Sequence, residues 1–237
     1  MPSSSSLSLA SDPAAALPAT VARRRGRPPV DSRENRLNML FDGAHALLAA
    51  GEYDNFTIEA VAKSAGMARK TVYTLVASKE ELIHGLILRE GAKLVGLLGC
   101  DAPTEQGVLD QLRSYLTVWA QLALGPVGLG IYLMAVAQRG SLPALALSYE
   151  GQGMAYAAGV LRAWLEQPAV WTLFAIDNVE QAISLLSAVL IAQPLRRAAL
   201  GLARPLTDAD IDALVAVALE TFVRCYGGKR LSRPGLA

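Results

Sequence analysis

The groups that carry most enzyme chemistry are scarce in this sequence. Its 237 residues include two histidines, His45 and His84, and two cysteines, Cys100 and Cys225. The cysteines stand far apart without metal-ligand spacing, which argues against a zinc site or a disulfide scaffold and suits a reducing compartment. No H-E-x-x-H, G-x-S-x-G or Walker pattern occurs. The glycines at 125, 128 and 130, and again at 151 and 153, follow no strand pattern, so a dinucleotide site is not expected. The chain therefore reads as a non-enzyme, with no catalytic residue, no cofactor and no metal.

Charge is scarce as well, at 18% against 52% hydrophobic. With 22 basic and 21 acidic residues, the net balance points to no partner. Placement says more. Arg23, Arg24, Arg25 and Arg27 form a tight basic cluster, and no acidic block matches it. Ahead of it, the first twenty residues hold one acidic side chain and no basic one. They lack the charged and apolar regions of a signal peptide, so residues 1–22 are expected to be a disordered tail.

Long uncharged runs are limited to residues 114–138. A membrane span needs about 20 apolar residues, but Gly125-Pro126 interrupts this run, with Gly128 and Gly130 close behind. One helix ending and another starting at Pro126 is the expected pattern. A membrane-associated helical protein remains a distant alternative.

What is present is helical periodicity. Leu37, Leu40, Phe41, Ala44, Leu47 and Leu48 share one helical face, and Gly51 ends that helix. Thr57 is placed to cap a short second helix through its hydroxyl. Ser78 and Glu81 form a capping-box pattern opening a longer one. Breaks fall near residues 102–103, 125–126, 140–141, 167–168 and 203–205. Thr207 caps a final helix that Gly227 and Gly228 end. No hairpin and no fixed-period repeat is visible. The expected class is all-α, with an N-terminal group of three helices followed by a longer helical region.

One hexamer resists this reading. Thr71-Val72-Tyr73-Thr74-Leu75-Val76 is built of strand formers. All but its last residue lie in residues 57–75, which have the layout of a helix-turn-helix: a capped short helix, a turn with Gly66, and a second short helix over about 68–75. Val72 with Leu75 or Val76 would then pack inward. Arg69, Lys70, Thr71, Tyr73 and Thr74 would face out, where short polar, basic and aromatic groups reach phosphates and base edges. The competing reading is an ordinary helical connection with a solvated basic face.

Residues 56–82, FTIEAVAKSAGMARKTVYTLVASKEEL, closely resemble the DNA-binding signature of the TetR family of bacterial transcriptional regulators. The matching features are Thr57, Val61-Ala62, Ala65-Gly66, Thr71, Tyr73 and Ser78-Lys79-Glu80-Glu81-Leu82, with Leu40-Phe41-Asp42 and Leu47 in the helix before. The chain departs at Ala68, where a capping Ser or Thr is usual, and at Val76, where Phe is usual. The resemblance implies that Thr57, Tyr73 and Lys79 contact phosphates, and that Arg69, Lys70 and Thr71 are the candidates for base edges. It sets expected boundaries at residues 23–32 for a basic arm, 33–80 for the DNA-binding domain, 81–228 for the second domain and 229–237 for a tail. Within the arm, Arg-Gly-Arg-Pro resembles the AT-hook core, which lies in the minor groove of A·T tracts. A flexible basic tail giving salt-sensitive affinity is the other reading.

Residues 134–165 and 190–201 resemble, more loosely, the AefR-like subgroup of that family. This implies a helical bundle with a small-molecule pocket and a two-fold dimer interface. The apolar excess fits both roles. Trp119, Tyr132, Met134, Tyr149, Tyr156 and Trp164 are the candidates for pocket lining, against the alternative of plain core. Leu185, Ala188, Val189, Leu214, Ala218 and Phe222 are the candidates for the dimer interface. The implied function is a dimeric DNA-binding repressor in the cytoplasm, released by a small apolar or aromatic ligand. A regulator controlled by a protein partner is the alternative.

Overall fold

The computed structural model describes residues 33–99 and 104–227. The expectations for the tails and for the arm, including Arg23, Arg24, Arg25 and Arg27, lie outside the described residues. Among the described residues the chain forms twelve α-helices and no strand, apart from an isolated bridge between Phe174 and Gly227.

Helix α1 (Arg33–Ala49) buries Leu40, Phe41, Ala44 and Leu48, the periodic face of the sequence. α2 (Ile58–Ser64) begins where Thr57 accepts a hydrogen bond from the Ala60 N–H. It ends in a Schellman turn: Met67 N–H bonds the Ala62 carbonyl at 2.8 Å and Gly66 N–H the Lys63 carbonyl at 3.1 Å. That turn needs a positive φ, and Gly66 supplies it at 65°. Close approach is the role of a different glycine: a Cβ on Gly43 would sit 2.7 Å from the Ala65 backbone nitrogen, so α1 rests directly on the turn. α3 (Arg69–Tyr73) follows, then α4 (Lys79–Gly91). Ser78 caps α4 by accepting from Glu81 N–H, while the Glu81 carboxylate reaches back to Ala77 N–H, one residue beyond a true capping box.

The second half contains α5 (Glu105–Leu124), α6 (Pro126–Ala137), α7 (Pro143–Ser148), α8 (Tyr156–Leu165), α9 (Pro168–Trp171), α10 (Val179–Ser187), α11 (Gln193–Ala199) and α12 (Asp208–Tyr226). α5 and α6 meet at Gly125 with a bend of 51°, so the uncharged run is two helices. Two π-helical segments, Tyr149–Ala155 and Ala188–Ala192, join α7 to α8 and α10 to α11. The second precedes Pro194, which has no N–H to return to the Leu190 carbonyl. The helix Val179–Ala199 is long and apolar enough to cross a membrane. Here its Ala182, Ile183, Leu186, Leu190, Ile191 and Leu195 are buried in the bundle core.

Among the described residues there are two cores. The larger runs from Leu94 through α5, α8, α10 and α12. The smaller joins α1–α4 with Ile131, Met134 and Ala135 of α6 and Leu145 of α7. It includes Leu82, Ile83, Leu86 and Ile87, so α4 packs with the N-terminal helices beyond the boundary expected at residue 80.

Candidate functional site

Packing accounts for the hexamer that looked like a strand. Val72, Leu75 and Val76 are all buried in the smaller core, where β-branched and leucine side chains fill space between helices. Arg69, Lys70, Tyr73 and Thr74 are exposed and Thr71 is half-buried. Regular helix stops at Tyr73, two residues short of expectation. Thr74 then donates its hydroxyl to the Thr71 carbonyl at 2.7 Å, occupying a terminal acceptor. At the other end, Ala68 supplies no side-chain cap.

Three side chains meet on the exposed face. The Arg69 guanidinium lies 2.8 Å from the Glu59 carboxylate of α2. It also stacks 5.5 Å above the Tyr73 ring centre and reaches the Tyr73 hydroxyl at 3.5 Å. Tyr73 itself is 46% exposed. Thr57, also exposed, spends one acceptor site on the α2 cap. Lys79 is half-buried: its Nζ lies 5.6 Å over the Phe56 ring and 3.5 Å from the Gln138 side-chain oxygen at the end of α6. Burial pushes its ammonium below the ordinary lysine value. Two contributors escaped the sequence reading. Glu59 is one. The other is Arg33, which bonds the Leu75 carbonyl at 3.1 Å and ties the start of α1 to the end of the reading segment. Neither lies in the basic cluster or the matched motif positions, so no local pattern marked them.

A cavity of about 280 Å³ lies between the two halves. α1 contributes His45 and Ala49, and α4 contributes Ile87, Glu90 and Gly91. The opposite wall comes from α5, the start of α6 and the π segment, including Trp119, Leu122, Val127, Ile131, Tyr149, Gly153 and Met154. Of the six aromatic and methionine candidates, Trp119 and Tyr149 line it. The other four are corrected. Tyr132 packs 5.6 Å from Tyr149 without lining the cavity. Met134 belongs to the smaller core. Trp164 is buried in the larger core, donating its indole N–H to the Gly99 carbonyl and Gln111 at 3.0 and 3.2 Å. Tyr156 is exposed beside Gly91. The wall is assembled from helices remote in sequence, which periodicity cannot bring together.

The dimer candidates divide. Ala188 is exposed, and Leu185, Val189 and Leu214 are half-buried. Ala218 and Phe222 are corrected: both are fully buried in their own subunit, Phe222 between Phe174 and Tyr226 at 5.2 and 5.3 Å. On the same helix, Val217 is 53% exposed. The last helix thus turns Ile211, Val215, Ala218, Leu219 and Phe222 inward and leaves Ala213, Ala216 and Val217 exposed, the reverse of the expectation for Ala218 and Phe222.

The model of the bacterial regulatory proteins of the tetR family matches residues 40–86. The model of the C-terminal domain of AefR-like transcriptional repressors matches residues 110–228. A TetR-family transcriptional regulator from Mesorhizobium loti is similar in fold, with a TM-score of 0.66 at 19% identity over 83% of this chain and 98% of that one. The fatty acid degradation regulator FadR from Bacillus halodurans gives 0.60 at 18% identity, over 79% and 94%. The flavonoid-responsive regulator FrrA gives 0.56 at 20% identity, over 82% and 98%. A search of curated proteins returned no match.

Proposed function

The chain belongs to the TetR family of bacterial transcriptional regulators, which are DNA-binding regulators and not enzymes, and from that premise we propose a dimeric, cytoplasmic repressor released from its operator by a small apolar or aromatic ligand. Arg69, Lys70 and Thr71 face base edges, and Thr57, Tyr73 and Lys79 face phosphates. The arm at Arg23, Arg24, Arg25 and Arg27 adds minor-groove or backbone contacts. The dimer forms through the outward faces of α10–α11 and α12, using Leu185, Ala188, Val189 and Leu214.

The observation that carries the ligand is the cavity's position. Its walls belong both to helices of the DNA-binding core, α1 and α4, and to the bundle, α5 and α6. A ligand there that prefers the conformation unable to dock on DNA weakens operator binding by at most its differential affinity for the two states. The AefR-like match supports repression. Two proteins of similar fold, a flavonoid-responsive regulator and a regulator of fatty acid degradation, support an apolar or aromatic effector.

A gel shift on the DNA upstream of the protein's own gene tests this, with naringenin and lauric acid as probes. The expected result is a specific shift that at least one probe relieves, with relief lost in Leu122→Trp, which fills the cavity. A shift that neither probe relieves, with no probe-dependent rise in melting temperature, moves the reading to control by a protein partner.

A further inference from the structure

A lysine that meets a phosphate normally gives up the rotamer freedom of a long flexible stem to do so. In this structure Lys79 has already given up much of it. Its ammonium sits 5.6 Å over the Phe56 ring and 3.5 Å from the Gln138 side-chain oxygen. Half-burial has removed part of its water, which lowers its pKa, an effect that the Glu80 charge opposes. Neither partner cancels the positive charge. Phe56 offers a ring face and Gln138 a neutral amide, whereas Arg69 is paired with a carboxylate. An ammonium has several donors, so those not aimed at Gln138 stay available to a phosphate oxygen. At 3.5 Å the Gln138 contact is long, and its effect is to place the ammonium rather than to bind it strongly.

The support behind both partners is rigid. Gln138 closes α6, and its N–H bonds the Met134 carbonyl at 2.9 Å. Its own carbonyl accepts from the N–H groups of Ser141 and Leu142 at 3.0 and 2.7 Å. In the turns before it, Ile131, Met134 and Ala135 are buried in the smaller core. A Cβ on Gly130 would lie 3.1 Å from a Leu48 methyl, so α6 sits close on α1. Phe56 is buried in the same core. The end of α6 also carries the negative pole of the helix dipole, which favours a cation beside it.

We propose that Gln138 is a positioning residue for DNA binding: with the Phe56 ring, its side-chain oxygen holds the Lys79 ammonium in place for a backbone phosphate. The role rests on Lys79 being the phosphate contact proposed above. It makes one DNA contact of the N-terminal helices depend on a side chain from the second half of the chain. A phosphate carries no sequence information, so Gln138 raises affinity without choosing sequence.

Fluorescence anisotropy of the full-length protein at several salt concentrations tests this, on the duplex from upstream of its own gene and on a scrambled duplex. Gln138→Met keeps the length of the side chain and removes the oxygen. Gln138→Asn keeps the amide and shortens its reach. Each should weaken binding to both duplexes alike, roughly threefold to tenfold, the cost of immobilising one long side chain. The salt dependence and the ratio of the two affinities should stay as in the wild type. Lys79→Met should lower the slope of log affinity against log salt concentration by about one. The double variant Lys79→Met with Gln138→Met should bind like Lys79→Met alone. A melting curve like the wild type's shows that each variant folds. Wild-type affinity in both Gln138 variants, losses that multiply in the double variant, or a changed ratio between the duplexes overturns the role of Gln138 and leaves the Lys79 contact standing. An unchanged salt slope in Lys79→Met overturns that contact and the role of Gln138 with it.

Discussion

In the proposed function Arg69 contacts a base edge, and its guanidinium is held by Glu59 and Tyr73. The Glu59 pair is exposed on both sides, so it contributes little to stability. Its effect belongs to recognition. Glu59 places a negative charge on the face proposed to meet phosphates, where it would penalise indiscriminate binding while fixing the geometry of Arg69. Glu59→Gln should therefore raise affinity for a scrambled duplex a few-fold, lower the ratio of operator to scrambled affinity, and leave Tm unchanged. Fluorescence anisotropy at one salt concentration measures both affinities. An unchanged ratio would show that the pair has no part in selectivity. A second prediction concerns the uncapped start of the reading helix. Ala68 has the extended backbone of a cap residue but no acceptor. Ala68→Ser should add about 1 kcal/mol and raise Tm by about 2–4 °C for a chain of this size, read by thermal melting.

At the scale of elements, α12 shows how a helix end is secured. Thr207 and Asp210 form a full capping box, and Arg204 grips the Asp210 carboxylate at 2.7 and 2.9 Å. Hydrogen bonds from Arg204 first, then Thr207, hold the Asp210 carboxyl well below the usual carboxylate range. Its folded pKa lies under its unfolded one, so the stabilisation is complete above the ordinary carboxylate range and fades as pH falls toward the folded value. Asp210→Asn should lower Tm at pH 7, and the gap from wild type should narrow below about pH 4. A gap independent of pH would mean that the carboxylate is not the source. Elements of this kind were legible because a cap is a local code: Thr57, Ser78 and Thr207 all cap as their spacing implies. The break at Gly125 was legible for the same reason. The π segments were not, since nothing in a window of side-chain periodicity marks an extra residue per turn. The cavity was legible only at Trp119 and Tyr149, because its α1 and α4 wall depends on how distant helices stack. Phe222 was misassigned because outward and inward faces of an apolar helix look alike until its neighbours are known.

At the scale of the whole molecule, the proposed two-fold assembly depends on the exposed side of α12. A two-fold axis brings equivalent patches of both subunits together, so a charge introduced there meets its own copy. Val217→Glu should shift the protein toward monomer in sedimentation velocity and reduce operator affinity roughly tenfold or more, since two half-sites are no longer held as one ligand. A dimer that persists would place the interface elsewhere. The smaller core has a further consequence at this scale. Ile131, Met134, Ala135 and Leu145 come from the second half of the chain yet complete the hydrophobic interior beneath the reading helix. The DNA-reading head is thus not a detachable module. A chimera that grafts residues 33–80 onto the body of another regulator would leave Leu82, Ile83, Leu86 and Ile87 behind along with that patch. Transplanting the specificity of this protein requires carrying α4 and the facing turns of α6 and α7 with it.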